Sequence, residues 1–277
     1  MRTVTLRTGA RMPALGLGTW RMGESGRVRT AEVEALRLGL DLGVRLIDTA
    51  EMYGSGEAER IVAEALEGRR DEVFLVSKVF PQNASRAGTL AAAERSLKRL
   101  RTDRIDLYLL HWEGPHPIEE TLEAFVRLRA QGKIRDFGVS NFDLATLQDA
   151  GREPGGEDIA ANQVLYNLER RAIEWDLLPW CQERQVAIMA YSPLEQGRLR
   201  RRPALEKVAR RHGTTPSQVA LAWTLRHPGV VTIPKATRPE HVREDVAAAD
   251  LTLDEEDLAV LDGAFPPPAG ATPLETL

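Results

Sequence analysis

The chain has 277 residues, and its formal net charge of -4 at pH 7 leaves no excess of basic side chains for binding nucleic acid. Its single cysteine, Cys181, excludes internal disulfides and cysteine-based metal clusters. No apolar run reaches the roughly 18 residues that a membrane span needs, and the first six residues lack a signal-peptide core. We therefore expect a soluble, cytoplasmic protein with neither a nucleic acid nor a membrane as partner. We expect a monomer, and an oligomer remains the alternative.

The first predicted elements are a hairpin and a short strand. Val4-Thr5-Leu6 and a segment beginning at Arg11 flank Arg7-Thr8-Gly9-Ala10, which is typical of a β-hairpin. The next strand, Leu15 to Trp20, contains two glycines that permit close approach of another group to the backbone.

A helix and a strand that ends on an acid come next. Thr30 is predicted to cap a helix that runs through Leu42 and ends at Gly43. The apolar residues 44–47 then predict a short buried strand, and Asp48 is its first polar residue. The sequence thus places a carboxylate at the carboxyl end of a strand.

Six more apolar segments of strand length follow, and nearly all of them precede a helical pattern. These segments are residues 73–78, 105–110, 134–139, 161–166, 186–192 and 230–233. Among the predicted helices are residues 57–66, 90–100, 118–131 and 175–182.

Three helix starts are predicted near the end of the chain. Thr215-Pro216-Ser217-Gln218 and Thr237-Arg238-Pro239-Glu240 both have the pattern of a capping box, with the first of these helices ending before Pro228. Thr252 is predicted to open the last helix, and Pro266-Pro267-Pro268 begins an irregular C-terminal tail.

Eight short strands that alternate with helices predict an α/β protein with a (β/α)₈ TIM barrel, preceded by the hairpin and followed by the irregular tail. Barrels of this length commonly form one domain, so we expect a single domain over residues 1–277. The alternative, an open doubly wound sheet, requires a glycine-rich fingerprint that opens the first helix. Gly16-Leu17-Gly18 leads instead into Thr19-Trp20 and a loop. Functional side chains are then expected at the carboxyl ends of the strands.

Four chemically active side chains fall at or just after consecutive strands: Asp48, Tyr53, Lys78 and His111. Each could be ordinary alone, as a loop lysine, a strand-end histidine or a loop aromatic residue. Neighbouring strands lie only about 5 Å apart, so together these side chains can form one site. Tyrosine has a free pKa of about 10, and a nearby cation is needed to lower it.

We therefore expect Asp48 to hold Lys78, Lys78 to lower the pKa of Tyr53, and His111 to bind the substrate oxygen. Tyr53 is then a general acid that delivers a proton to an oxygen gaining negative charge, as in carbonyl reduction. None of these groups can supply a hydride, so a nicotinamide cofactor is required.

A metal hydrolase is the competing interpretation, with His111, Glu113 and His116 as ligands. Gly114 and Pro115 interrupt any helical spacing between these side chains, so no metal is expected.

Short motifs lie in or just after the predicted strands. They are Leu17-Gly18-Thr19-Trp20, Asp48-Thr49-Ala50 with Tyr53-Gly54, Ser77-Lys78, Leu110-His111-Trp112, Gly138-Val139-Ser140-Asn141-Phe142, Asn162-Gln163, Tyr191-Ser192-Pro193-Leu194 and Ile233-Pro234-Lys235. With these motifs the chain resembles the aldo-keto reductase family, and the resemblance extends over nearly the whole sequence. It is closest to bacterial members that reduce methylglyoxal and similar small aldehydes, because Glu51-Met52 and Trp180-Cys181-Gln182 match them in context.

The resemblance implies that NADPH binds in an extended pose with its nicotinamide at the barrel centre, and that Asp48, Tyr53, Lys78 and His111 are the catalytic tetrad. It implies further cofactor contacts that run from the nicotinamide to the adenosine. Tyr191 stacks on the nicotinamide, and Lys235 with the helix near Thr237 receives the adenosine phosphate. The implied cofactor contacts are Gly18, Thr19, Trp20, Ser140, Asn141, Gln163, Tyr191, Ser192, Leu194, Lys235, Ala236, Thr237, Arg238, His241, Glu244 and Asp245. Trp20 and Trp112 line the substrate pocket beside Tyr53 and His111.

The sequence departs from the family pattern at the adenosine end. Ala236 stands where the family usually has Ser, His241 where it usually has Arg, and Asp245 where it usually has Asn. These changes bear on cofactor preference, so we expect NADPH to be preferred less strongly than usual and NADH to be accepted as well.

A second class of function shares the same motifs. Some barrels of this family bind the dinucleotide as redox-sensing or regulatory subunits with little turnover. Nothing appended to the predicted barrel indicates a docking partner, so we expect an enzyme that reduces aldehydes or α-dicarbonyls.

Overall fold

The computed structural model describes residues 2–277, without the side chains of Arg200 and Arg201. The predicted N-terminal hairpin is present. Strands β1 (Thr3–Thr5) and β2 (Arg11–Pro13) pair in antiparallel register, with Val4 opposite Met12. The turn between them is closed by the Leu6 amide, which donates to Ala10 O at 2.9 Å, and Gly9 has a φ of +87°. Glycine adopts that angle without strain, which explains the turn.

A second sheet forms the barrel that the sequence predicts. Within the described residues its eight parallel strands are ordered as they occur along the chain. The first and last strands meet through a parallel bridge between Leu15 and Thr232, and the Gly18 amide donates to Pro234 O at 2.9 Å. The strands are β3 (Leu17–Gly18), β4 (Leu46–Asp48), β5 (Phe74–Val79), β6 (Ile105–Leu110), β7 (Ile134–Ser140), β8 (Ala161–Leu165), β9 (Ala187–Tyr191) and β10 (Val230–Thr232).

Helices surround the strands, and none of those in residues 2–277 is long and apolar enough to cross a membrane. The helices are α1 (Arg29–Asp41), α2 (Glu57–Ala65), α3 (Arg86–Leu100), α4 (Ile118–Ala130), α5 (Leu144–Ala150), α6 (Leu177–Glu183), α7 (Pro203–His212), α8 (Pro216–Leu225), α9 (Pro239–Ala247) and α10 (Glu255–Ala264). Helices α5 and α7 were not singled out from the sequence.

The hydrophobic core has two main parts, one between the strands and the helices and one inside the barrel. Hairpin residues Leu6 and Met12 belong to the inner part, together with strand residues such as Leu46, Leu107 and Val231. The hairpin therefore plugs the amino-terminal end of the barrel. The open end is the opposite one, where the strands have their carboxyl ends.

Two of the predicted helix starts were wrong. The residue before α1 is Val28, at the end of a 3₁₀ turn that leads directly into the helix, so Thr30 lies inside the first turn and does not cap it. Helix α9 begins at Pro239 with Arg238 as its cap and without a side-chain hydrogen bond. Arg238 is extended, at φ -90° and ψ 133°, because the residue before a proline avoids helical angles. The capping box at Thr237 is therefore absent.

Two more starts shift because aspartates form the caps. Asp254 accepts from the Asp257 amide, and its own amide donates to the Asp257 side chain, so the last helix begins after Asp254 and not at Thr252. Helix α6 begins at Leu177, whose amide donates to the Asp176 side chain, and Trp175 remains outside it. The capping box at Thr215 is confirmed.

Residues 266–277 form the predicted irregular tail, with no helix or strand. The tail is tethered to the barrel by an ion pair in which Arg170 Nη1 lies 2.5 Å from Glu275 Oε1. Leu277 consequently lies at the open end of the barrel, where it lines the cleft described below.

Candidate active site

A cleft of about 560 Å³ opens at the carboxyl ends of the barrel strands. Its walls include many of the predicted site residues and several that the sequence did not indicate. Predicted residues in the walls are Gly18, Trp20, Asp48, Tyr53, His111, Trp112, Ser140, Asn141, Gln163, Tyr191, Ser192, Leu194 and Lys235. Those not predicted are Arg21, Met52, Pro193, Gln196, Gly197, Ile233, Pro234 and Leu277.

A buried ion pair lies at the base of the cleft, on neighbouring strands β4 and β5. Lys78 Nζ lies 2.8 Å from each carboxylate oxygen of Asp48 and donates to Thr49 O at 2.8 Å. The lysine is 0% exposed. Burial lowers the pKa of Lys78, and the neighbouring Asp48 carboxylate opposes that shift. The predicted pairing of these two side chains is therefore present.

Tyr53 returns over this pair because the turn after it has unusual backbone angles. Gly54, Ser55 and Gly56 have φ values of +54°, +54° and +90°. The Tyr53 hydroxyl accepts a hydrogen bond from Lys78 Nζ at 3.4 Å, and Nζ lies 4.9 Å from the ring centroid. The phenol and the ammonium group are thus in contact, as the sequence predicts.

The prediction that the pKa of Tyr53 is lowered is wrong. Burial of the phenol raises the pKa of Tyr53 well above its usual value, and the negative charge of Asp48 raises it further. The contact with Lys78 does not reverse these effects. The hydroxyl therefore keeps its proton at neutral pH, which is the state that a proton donor requires.

His111 follows β6 and completes the group. It is 8% exposed, and its ring meets that of Tyr53 edge to face with 5.5 Å between the centroids. Burial, with a smaller effect of the Lys78 charge, lowers the pKa of His111 to about 2. The imidazole is therefore neutral at physiological pH, and one ring nitrogen can donate a hydrogen bond to a substrate oxygen.

A row of amide and hydroxyl groups forms the wall beyond the tetrad. Ser140 Oγ donates to Gln163 O at 2.8 Å, and Asn141 Oδ1 accepts from the Tyr191 hydroxyl at 3.0 Å. The Gln163 side chain donates from Nε2 to Asp48 Oδ1 at 2.8 Å. The structure thus groups these four predicted residues and joins them to the Asp48–Lys78 pair, a link that residue spacing cannot reveal.

The loop after β9 closes one side of the cleft and has strained backbone angles. Ser192, Glu195 and Gln196 have φ values of +48°, +47° and +55°. The Glu195 carboxylate is fully buried and accepts hydrogen bonds from Asn167 at 2.7 Å and Arg170 at 3.1 Å. Sequence analysis missed Glu195, because a glutamate in a polar segment carries no local sign of burial.

Two arginines that follow this loop are paired with acids. Arg198 donates to Glu195 at 2.8 Å, and Arg202 donates to Glu169. These two side chains therefore stabilise the loop itself.

The residues predicted for the adenosine end lie next to the cleft, and of these only Lys235 is in its wall within the described chain. Arg238 and His241 are in contact, with Arg238 Nη2 2.6 Å from His241 Nε2. Ala236 and Asp245 are buried, and Thr237 and Glu244 are partly buried. Thr19 is also buried, and its hydroxyl donates to Asp48 O at 3.0 Å.

This geometry supports one kind of chemistry. A protonated phenol, a buried ammonium group and a neutral imidazole surround one position where a carbonyl oxygen can accept a proton. No side chain among the described residues can donate a hydride, and no three His, Cys, Asp or Glu side chains there are grouped to hold a metal. Fold and site together define a cofactor-dependent oxidoreductase of the barrel type.

The chain belongs to the aldo/keto reductase family, whose model matches residues 14–265. It is 52% identical over 269 residues to the methylglyoxal reductase YeaE of Escherichia coli, with 95% of each chain covered. It is 36% identical to a glyoxal reductase of Bacillus subtilis, covering 94% of this chain and 91% of that one. An aldo/keto reductase from Klebsiella pneumoniae, crystallised with NADP and acetate, has 50% identity and a TM-score of 0.97, with 99% of each chain covered.

Proposed function

We propose that the protein is an NADPH-dependent carbonyl reductase in which Tyr53 is the proton donor. The observation that carries this proposal is the contact between the Tyr53 hydroxyl and Lys78 Nζ at 3.4 Å. The same Lys78 ammonium group is held in place by its ion pair with Asp48. When bound, the nicotinamide supplies the hydride that the protein lacks. The residues of the chain then have to bind the cofactor, orient the substrate carbonyl and protonate its oxygen.

Protonation is the main task of the tetrad in this proposal. The carbonyl oxygen gains negative charge as its carbon is reduced, and the Tyr53 hydroxyl donates the proton that makes it an alcohol. Lys78 stabilises the phenolate left behind, and Asp48 keeps Lys78 in place. Neutral His111 hydrogen-bonds the same oxygen and directs it towards Tyr53.

The cleft walls fit a nicotinamide dinucleotide. Ser140, Asn141 and Gln163 present hydroxyl and amide groups for the carboxamide, and the Tyr191 ring is placed to stack beside them. Ser192, Leu194 and the strand end at Gly18 to Trp20 provide walls further along. Structures of similar Klebsiella pneumoniae enzymes with NADP or NADPH support this assignment.

We assign the 2′-phosphate to the region around Lys235 and the start of α9. Lys235 and Arg238 are exposed cations there, and the α9 amides face an anion favourably. Thr237, Ala236 and His241 complete the phosphate region, with Glu244 and Asp245 near the adenine. Lys235 and Arg238 keep NADPH the preferred cofactor, whereas His241 in place of the usual arginine weakens that preference and leaves NADH usable.

Small aldehydes and α-dicarbonyls such as methylglyoxal are the proposed substrates. Trp20, which is 44% exposed, and Trp112 lie in the cleft wall beside Tyr53 and His111 and give its mouth an apolar, narrow lining. The names of the similar reductases from Escherichia coli and Bacillus subtilis agree with this substrate class.

The alternative is a regulatory subunit that binds the dinucleotide with little turnover, and the relatives above give it no support. Steady-state oxidation of NADPH with methylglyoxal, other small aldehydes, an aldose sugar and a bulky ketone tests both functions. We expect turnover with all the small carbonyls and slower turnover with the sugar and the ketone. Cofactor binding without turnover on any of them contradicts the proposal.

We further propose that residues 1–277 form one domain and act as a monomer. The barrel closure by Leu15 and Thr232 and the tethered tail both support the single domain.

A further inference from the structure

A group of buried charges lies behind the tetrad, between the barrel wall and helices α2 and α3. Glu59, on α2, is 0% exposed. Its Oε1 accepts from Ser77 Oγ at 2.7 Å, and its Oε2 accepts from Arg99 Nε at 2.5 Å. Ser77 directly precedes Lys78 on β5, and successive side chains of a strand point to opposite faces. Glu59 therefore holds from the outside the strand that presents Lys78 to the cleft.

Arg99, on α3, supports the turn that carries Tyr53. A Cβ atom at Gly56 would lie 2.6 Å from Arg99 Cδ and 2.7 Å from its Nε. The guanidinium group therefore packs directly on the Gly56 backbone, which has a φ of +90°. Glycine adopts that angle without strain, and the contact places the Arg99 side chain against the turn that follows Tyr53.

A second acid, Glu51, lies near Arg99 and precedes Tyr53 in the chain, whereas Glu59 follows it. Glu51 accepts from the Phe80 amide at 2.8 Å and from Asn83 Nδ2 at 2.9 Å, and Arg99 Nη2 lies 3.9 Å from its carboxylate. Phe80 in turn meets Trp112 edge to face. Arg99 thus lies between the acids at positions 51 and 59, which flank Tyr53 in the chain.

The charged groups around Lys78 come from several elements. Asp48 and Tyr53 contact it directly, and its positive charge lowers the pKa of His111. From the outer side, the Glu59 carboxylate favours the charged form of Lys78. Two further groups face the acids of this cluster. Burial raises the pKa of Tyr108, and Glu51 and Glu59 raise it further. The exposed Arg95 lies 3.4 Å from Glu51.

We propose that Arg99 and Glu59 are positioning residues of the reductase, Arg99 fixing the turn that carries Tyr53 and Glu59 anchoring the strand that carries Lys78. The inference rests on the proposed function, because it concerns the same proton donor. Neither side chain lines the cleft, so neither contacts substrate or cofactor. Their effect on the reaction passes through Tyr53 and Lys78.

Opposite charge changes give the test. Glu59→Gln removes a negative charge near Lys78, so Lys78 and Tyr53 lose their protons at lower pH. The alkaline limb of the pH profile, where kcat falls as pH rises, therefore moves to lower pH. Arg99→Gln leaves Glu59 without its counter-charge, so Lys78 and Tyr53 keep their protons to higher pH and the alkaline limb moves to higher pH. Each variant should lower kcat by about tenfold or more through misplacement of the reacting groups, with KM for the aldehyde and Kd for NADPH nearly unchanged.

Three further variants separate positioning from folding. The double variant Glu59→Gln/Arg99→Gln should return the alkaline limb to the wild-type pH, and so should Arg99→Lys, which keeps the charge. Arg95→Gln is the matched control, since it removes an arginine of the same helix that contacts Glu51 and not Glu59, and it should leave the limb unchanged. Limbs that stay at the wild-type pH, or that move in the same direction in both single variants, overturn the proposal.

Crystal structures test the anchoring without relying on turnover. In Arg99→Gln the Tyr53 turn should shift and lose its contact with Lys78, whereas Arg95→Gln should retain it. An unmoved turn in Arg99→Gln overturns the proposal. Absence of wild-type turnover on every carbonyl contradicts the proposed function instead, and the crystal comparison still decides the positioning.

Discussion

At the scale of single residues, the site depends on which proton-carrying groups are buried. Lys78 and Tyr53 share the base of the cleft with Asp48, and burial keeps the phenol protonated and the His111 imidazole neutral. Strand-end spacing alone predicted that the four side chains meet. The raised pKa of Tyr53 could not be predicted from the sequence, because it depends on how far the folded chain removes water from the hydroxyl.

The neutral state of His111 has a consequence for stability. Its pKa is about 2 in the folded protein, against a free value of about 6.5, so the unfolded chain binds the additional proton as pH falls. His111 therefore costs no stability above about pH 6.5, and destabilises the fold progressively below it, by about 2 kcal/mol at pH 5. Urea unfolding at several pH values measures this. In His111→Gln the loss of stability between pH 7 and pH 5 should be smaller by that amount, and an equal loss contradicts a neutral His111.

His241 supports a prediction about cofactor choice. Its contact with Arg238 places an imidazole beside the proposed phosphate site. An arginine at this position would be a permanent cation with a geometry suited to a phosphate group. The affinity advantage of NADPH over NADH should therefore be larger in His241→Arg than in the wild type, because only NADPH has the 2′-phosphate.

Dissociation constants of both cofactors, in wild type and in His241→Arg, measure that advantage. The arginine variant should bind NADPH more tightly and NADH with nearly unchanged affinity. If arginine brings no gain for NADPH, Lys235 and Arg238 alone recognise the phosphate.

At the scale of elements, the alternation of strands and helices could be predicted from the sequence, because the apolar segments of strand length are short and regularly spaced. Helix starts were less reliable, since several residues near each start can cap a helix. A proline or a pair of aspartates decided the outcome at α9 and α10. Helix α7 and the buried Glu195 had no local signal, because both lie in a polar, arginine-rich part of the chain whose burial depends on distant partners.

The capping assignments predict unequal effects of two similar substitutions. Thr215 accepts a hydrogen bond from the Gln218 amide at the start of α8, whereas exposed Thr252 lies ahead of the cap formed by Asp254. Thr215→Ala should lower the free energy of unfolding by about 1 kcal/mol. Thr252→Ala is the control and should change it by less than about 0.5 kcal/mol. Chemical denaturation measures both values, and equal losses contradict the assignment of the caps.

At the scale of the whole molecule, the two ends of the barrel have different roles. The hairpin closes the amino-terminal end with apolar side chains, so the fold is stabilised there, while the polar groups gather at the open end. The tail returns to that open end through Glu275 and Arg170. A sequence reading predicts that such a tail is irregular, but the ion pair that holds it joins residues about a hundred positions apart and requires the structure.

The role of Tyr53 as proton donor is tested most directly by the turnover of Tyr53→Phe with methylglyoxal at saturating NADPH. This change removes one hydroxyl group and keeps the ring that packs on Lys78 and His111. We predict that kcat falls by at least about a hundredfold, the low end for loss of a general acid, while Kd for NADPH is unchanged. Turnover close to that of the wild type would contradict the assignment of Tyr53 as the proton donor.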